Sequence, residues 1–123
     1  LRDIHEYILV FSKGDYKLPR SKSEKDQRID TIESKEFVEY TKSIWRFPTV
    51  SAKRIGHPAP FPVELPRRLI ELYSFKGDII FDPFMGSGST CMAALETGRK
   101  YLGIDIEQEY CDLAEDRIST IMK

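Results

Sequence analysis

The chain has 123 residues, 41% of them apolar and 32% charged, with a formal net charge of −1. That is the length of one modest domain with enough apolar side chains for a core, and no apolar run approaches a membrane span. Lys and Arg outnumber Asp and Glu by 12 to 9 over residues 1–56 and are outnumbered 7 to 11 over residues 57–123, too slight an imbalance to argue for a nucleic-acid partner by charge alone.

In chain order, residues 4–12 read as a strand and Lys13-Gly14-Asp15 as a turn. The chain opens without methionine on what reads as mid-strand, so a piece of something longer is expected. It shows no secretory pattern. From Tyr16 to Asp30 charge is dense and apolar residues are nearly absent, which predicts a mobile loop. Helical spacing of Phe37, Val38, Thr41, Ile44 and Trp45 predicts a helix over 34–45, with Ser34 as N-cap and Trp45 as a core anchor. The proline-rich run His57-Pro58-Ala59-Pro60-Phe61-Pro62 is extended, because a residue before proline is pushed out of the helical region. A helix then follows through Leu65, Leu69, Leu72 and Tyr73, with Pro66 in its first turn.

Gly77-Asp78 turns into a strand at 79–82, and a helix from Ser89 to Thr97 is closed by Gly98. A strand at 101–105 leads to a last helix with Tyr110, Leu113, Ala114, Ile118 and Ile121 on one face. Strand, turn, helix, strand and helix in that order predict a parallel pair with a right-handed crossover, hence an α/β fold. Ligands of such units sit at the carboxyl ends of the strands. That rim gathers Asp82 to Ser89 with Asp105. Cys91 and Cys111 lack zinc-site clustering and read as reduced thiols of a cytoplasmic protein, with no metal.

Asp105 comes 17 residues after Gly88, near the offset at which an acidic residue accepts hydrogen bonds from a ribose. Together with the Gly86-Ser87-Gly88 turn it implies an adenosine-type ligand. The dinucleotide pattern fails because Cys91 stands at its third glycine, and no Walker lysine follows the turn. A carboxylate at Asp82 opposes a pyrophosphate but suits an ammonium or sulfonium group. S-adenosylmethionine carries both.

Asp82-Pro83-Phe84-Met85-Gly86-Ser87-Gly88-Ser89-Thr90 closely resembles the cofactor motif of the DNA amino-methyltransferases, which methylate exocyclic amines of adenine or cytosine. The run His57 to Pro66 is similar to the element that packs over the methionine end of the cofactor in that family, and Gly103-Ile104-Asp105-Ile106-Glu107-Gln108-Glu109-Tyr110 to its ribose-reading strand end. The resemblance covers residues 44–119, and residues 4–13 resemble a late strand of the catalytic region. It implies a Rossmann-like methyltransferase sheet, incomplete here because the chain offers only about three strands.

By this resemblance Gly86 and Gly88 let backbone approach S-adenosylmethionine, while Ser87, Ser89 and Thr90 supply N–H or hydroxyl donors. Asp105 takes the ribose, Asp82 faces the methionine amino group, and His57 bonds the methionine carboxylate. Pro83 belongs to the motif, and Phe61, Pro62 and Phe84 line the adenine and methionine pockets. The motif order is similar to the permuted beta group, in which an Asp- or Ser-Pro-Pro-Tyr/Trp motif grips the target amine. This sequence has no Pro-Pro dipeptide and offers no catalytic residue of its own.

The resemblance therefore implies three parts: residues 1–14 as a strand of the catalytic region, 15–33 as a mobile basic loop that is either a target-recognition remnant or a disordered linker, and 34–123 as the cofactor-binding subdomain. The implied partners are double-stranded DNA and a catalytic half in the same or another chain, within a restriction–modification system; residues 17–28 and Lys53-Arg54 are the candidate phosphate contacts. A non-catalytic subunit of a split enzyme and an RNA or protein methyltransferase are the competing readings.

Overall fold

The computed structural model describes residues 5–14, 28–48 and 61–122. In it α1 spans Ser34–Tyr40, α2 Glu64–Tyr73, β1 Ile79–Asp82, α3 Ser89–Glu96, β2 Lys100–Gly103 and α4 Gln108–Ile121. The expected α/β order from β1 onward is present. β1 and β2 run parallel with Ile79 beside Lys100 and Asp82 beside Gly103. Two glycine turns set this register at the strand entrances: Gly77 and Gly98 both have positive φ, and the Gly77 N–H donates to the Gly98 carbonyl at 2.9 Å.

The core lies between α2, α3 and the sheet, where Ile70 meets Ala93 and Ala94, flanked by Val63 and Ile80. Small residues on α3 let the helices approach closely. Pro66 falls in the first turn of α2 as expected, and no backbone donor is lost there. Arg99 locks the far end. Only 2% exposed, it donates from Nη2 to the Ser74 carbonyl at 2.8 Å, from Nε to Ser74 Oγ at 3.2 Å and from Nη1 to the Thr97 carbonyl at 2.6 Å. It also reaches the Thr31 hydroxyl, so one guanidinium ties Thr31 and Ser74 to the end of α3.

Two expectations change. The helix expected over 34–45 stops at Tyr40, and its N-cap is Glu33, which forms a capping box with Glu36, so Ser34 is the first helical residue. Side chains just past the helix take up its last carbonyls. Trp45 folds back so that its indole N–H donates to the Tyr40 carbonyl at 3.0 Å, while Thr41 Oγ1 donates to the Phe37 carbonyl at 2.8 Å. Trp45 is not a core anchor of α1. With Tyr40 and Phe47 it surrounds the Arg68 guanidinium of α2, whose carbon lies 4.8, 5.5 and 4.9 Å from the Tyr40, Trp45 and Phe47 rings.

The strand expected over 4–12 joins no ladder. Among the described residues β1 and β2 pair only with each other, and a strand needs a paired neighbour to satisfy its backbone groups. Residues 8–11 instead line, together with β1 and α2, a cavity of about 490 Å³. Most of the charged segment 15–33 and the proline-rich run up to residue 60 lie outside the described residues, as do Lys53 and Arg54. Arg28 is described, and its guanidinium sits 5.6 Å from the Phe75 ring. Among the described residues no helix is long and apolar enough to cross a membrane.

Glu71 of α2 is 6% exposed, and its Oε2 has no hydrogen-bond partner, with Arg67 Nε 3.9 Å away. Burial raises its pKa, Arg67 and Arg99 oppose the rise, and Glu36 and Glu64 add to it. The native state thus holds this proton more tightly than the unfolded chain does. Its share of the stability therefore falls as pH rises from the unfolded carboxyl value, about 4.3, through the raised native one. Glu71→Gln cannot lose that proton, so urea midpoints of variant and parent should diverge in the variant's favour as pH climbs from about 4 to about 8. Arg99→Met leaves several buried acceptors unpaired and should cost about 3 kcal/mol in urea unfolding.

Candidate functional site

The carboxyl ends of β1 and β2 are stitched together beyond the sheet. The Ile104 N–H donates to the Asp82 carbonyl at 2.9 Å, and the Met85 N–H to the Ile104 carbonyl at 3.0 Å. The chain then closes a tight turn, with the Gly88 N–H donating to the Met85 carbonyl at 2.8 Å and positive φ at Gly86 and Gly88. Gly88 is the N-cap of α3, and no side chain caps that helix. The N–H groups of Ser87, Ser89 and Thr90 have no acceptor among the described residues. Gly86, Ser87, Gly88 and Ser89 are all buried, so these donors belong to a cradle and not to an open surface.

Asp105 lies two residues past the end of β2, beyond the strand that was expected to contain it. Its carboxylate ties the rim together: Oδ2 accepts the Gly86 N–H at 2.9 Å and Oδ1 the Glu107 N–H at 3.0 Å. A carboxylate oxygen can accept more than one hydrogen bond. Asp82 behaves similarly. Its Oδ1 accepts the Phe84 N–H at 3.0 Å, which stabilises the turn, and the half-buried side chain also lines the cavity, as does Thr90.

At the described end of the proline-rich element, Ser89 Oγ donates to the Phe61 carbonyl at 3.2 Å. The Ser89 hydroxyl is thereby engaged within the protein, leaving its backbone N–H as the donor on offer. Phe61 lines the cavity. Pro62 accepts the Leu65 N–H at 3.0 Å and so starts α2. Phe84, beside Pro83, is 86% exposed and stands on the rim instead of lining a closed pocket. His57 lies outside the described residues. The structure thus brings together Asp82 to Thr90 and Asp105 with Phe61 and Pro62.

Gly88 has a second duty. A Cβ built there would fall 2.8 Å from Ala114 Cβ and 3.2 Å from Ala114 Cα, so α4 rests directly on the back of the turn. A β-branched side chain at 88 would unseat α4 before it could report on ligand binding. Gly103 escaped the sequence reading: a Cβ there would fall 2.3 Å from Met85 Sδ and 2.8 Å from Cys91 Sγ. A glycine inside a strand is the signal that a neighbour approaches closely. Cys91 is fully buried, and burial, with the charge of Asp82, pushes its thiol up to about 11, so it is an inert packing group. Arg117 of α4, also unnoticed in the sequence, donates from Nη1 to the Ser87 carbonyl. No group of three or more potential metal ligands occurs among the described residues.

Residues 1–116 match the family model described as DNA methylase, of the N6/N4 type. Among curated proteins, the type II methyltransferase M.MthZI of Methanothermobacter thermautotrophicus is 36% identical over 129 aligned positions, covering 97% of this chain and 36% of that protein. M.BglI of Bacillus subtilis is 36% identical over 116 positions, covering 94% of this chain and 31% of its own length. The chain spans about a third of the length of these relatives. Among solved structures, the DNA modification methylase TTHA0409 of Thermus thermophilus, crystallised with S-adenosyl-L-methionine, superposes with a TM-score of 0.62 at 31% identity, covering 87% of this chain and 39% of that one. The M1.HpyAVI complex with the same cofactor gives 0.54 at 33% identity, covering 61% and 36%. The glycine turn, the parallel strand pair beneath it and these matches agree, and the chain belongs to the N6/N4 family of DNA methylases.

Proposed function

We propose that this chain is the cofactor-binding part of a site-specific methyltransferase that transfers a methyl group from S-adenosylmethionine to an exocyclic amine of adenine or cytosine in duplex DNA. The observation that carries the reading is the cradle itself: a buried glycine turn whose N–H donors have no acceptor among the described residues, between two half-buried carboxylates and an apolar cavity. S-adenosylmethionine fits that donor set. Asp105 accepts from the ribose hydroxyls, the Ser87, Ser89 and Thr90 N–H groups donate to polar atoms of the ligand, and Asp82 takes the cationic methionine end. Phe61 supplies apolar wall. His57, Pro62, Pro83 and Phe84 complete the assignment carried by the family motif. When bound, the cofactor supplies an electrophilic methyl group on a sulfonium.

The chain's own residues bind and orient. They contain no Pro-Pro dipeptide, so gripping the amine is assigned to the rest of the protein. The open sheet supports that assignment. Ile79, Phe81 and Leu102 are 69%, 56% and 54% exposed, and an apolar sheet face of this kind is normally covered in an α/β fold. The missing strands and the amine-gripping loop would pack there. The target base must leave the helix to present its amine, and positioning supplies most of the rate. A restriction–modification role is the reading that the type II relatives support.

The test uses the full-length protein. Titration calorimetry should show S-adenosylmethionine binding, and Asp105→Ala should weaken it by about tenfold or more through the loss of charge-assisted hydrogen bonds. Labelled methyl groups should enter duplex DNA and not RNA or protein. A full-length protein that binds no S-adenosylmethionine would remove the reading.

A further inference from the structure

Ser87 is flanked by two glycines of positive φ, Gly86 at 49° and Gly88 at 78°. Glycine on both sides leaves the orientation of the intervening peptides weakly determined by local sterics. The 87–88 peptide is nevertheless held at both ends. Its N–H donates to the Met85 carbonyl at 2.8 Å, and its carbonyl accepts from Arg117 Nη1, 30 residues further along the chain. Arg117 sits one helical turn after Ala114, the residue against which Gly88 rests, so α4 both supports the turn and reaches over it.

The surroundings of Arg117 are unusual for an arginine. It is half-buried, burial pushes its pKa down, and no carboxylate forms an ion pair with it among the described residues. Its recorded polar partner is the neutral carbonyl of Ser87. Holding a partly desolvated cation on a carbonyl costs more than a surface ion pair would, so a purely solvated role does not account for the arrangement.

We infer that Arg117 is a positioning residue for the cofactor cradle: by holding the Ser87 carbonyl on the α4 side, it keeps the N–H groups of Ser87, Ser89 and Thr90 turned toward the rim. The inference rests on the proposed cofactor reading of that rim and adds to it a residue outside the ligand's reach. Arg117 touches no reacting atom. It acts through the turn.

The experiment compares the full-length parent with Arg117→Met, which keeps the aliphatic stem, and Arg117→Lys, which restores one charged donor. S-adenosylmethionine affinity is measured by calorimetry, kcat and KM for the cofactor in methyl transfer to duplex DNA, and ligand-free stability by urea unfolding. Arg117→Met should weaken cofactor binding about tenfold, the scale of one charge-assisted hydrogen bond, and raise KM for the cofactor while kcat at saturation stays within about twofold. Arg117→Lys should recover part of the loss. Unchanged affinity in Arg117→Met would overturn the inference. So would a loss that lysine does not relieve and that follows the fall in urea midpoint, because that pattern marks a helix support only. A parent protein that binds no cofactor would instead overturn the reading on which the inference stands.

Discussion

One carboxylate governs the geometry at the end of the sheet. Asp105 accepts the Gly86 N–H across 19 residues of chain and the Glu107 N–H two residues on, so it fixes the glycine turn to the exit of β2 and starts α4 at once. Without it, the turn after β1 and the segment after β2 would be joined chiefly by the backbone bond from Met85 to Ile104. A charge-assisted bond from a half-buried carboxylate is a strong choice for that joint. It also makes the acid rigid before any ligand arrives, so little orientation entropy is lost on binding.

From that joint the support spreads outward in two directions. Toward α2, the Ser89 hydroxyl reaches the Phe61 carbonyl, and the Ile70, Ala93 and Ala94 contact binds α2 to α3. Toward α4, Ala114 lies against Gly88 and Arg117 holds Ser87. The cradle is therefore clamped between supports on the α2 side and the α4 side. Arg99 secures the other end of the same layers, where α2, α3 and the segment around Thr31 converge. The site is built on regular elements, with the one irregular stretch pinned by bonds to α4 and to Ile104 and Asp105 just past β2, and the adjoining Ser89 bonded to Phe61 ahead of α2.

The parallel unit was legible in the sequence because its signals are local. Gly77, Gly98 and the glycines of the turn punctuate short apolar runs of strand length and the helix-forming stretches between them. Features that depend on a distant partner stayed hidden. The apolar run from Tyr7 to Phe11 says a strand could form, yet such a run cannot supply the neighbour it must pair with. Helix α1 looks long because Trp45 continues its period, but the indole belongs with Arg68. Spacing alone puts Asp105 near the rim, while its bond to Gly86 is invisible, since a carboxylate aimed at a ligand and one aimed at a backbone donor look alike in a string of letters. Arg99 and Arg117 are two arginines among many. Only Gly103 left a readable trace that went unused.

The contact between Gly88 and Ala114 turns a residue on the back of α4 into a spacer. The side chain at 114 sets how closely the turn can approach the helix, and a larger one there would press on Gly88. Affinity for whatever the rim holds is thus coupled to a position that never meets it. Position 88 is held to glycine by its own positive φ as well, so the fit of the pair is set chiefly from the side of 114.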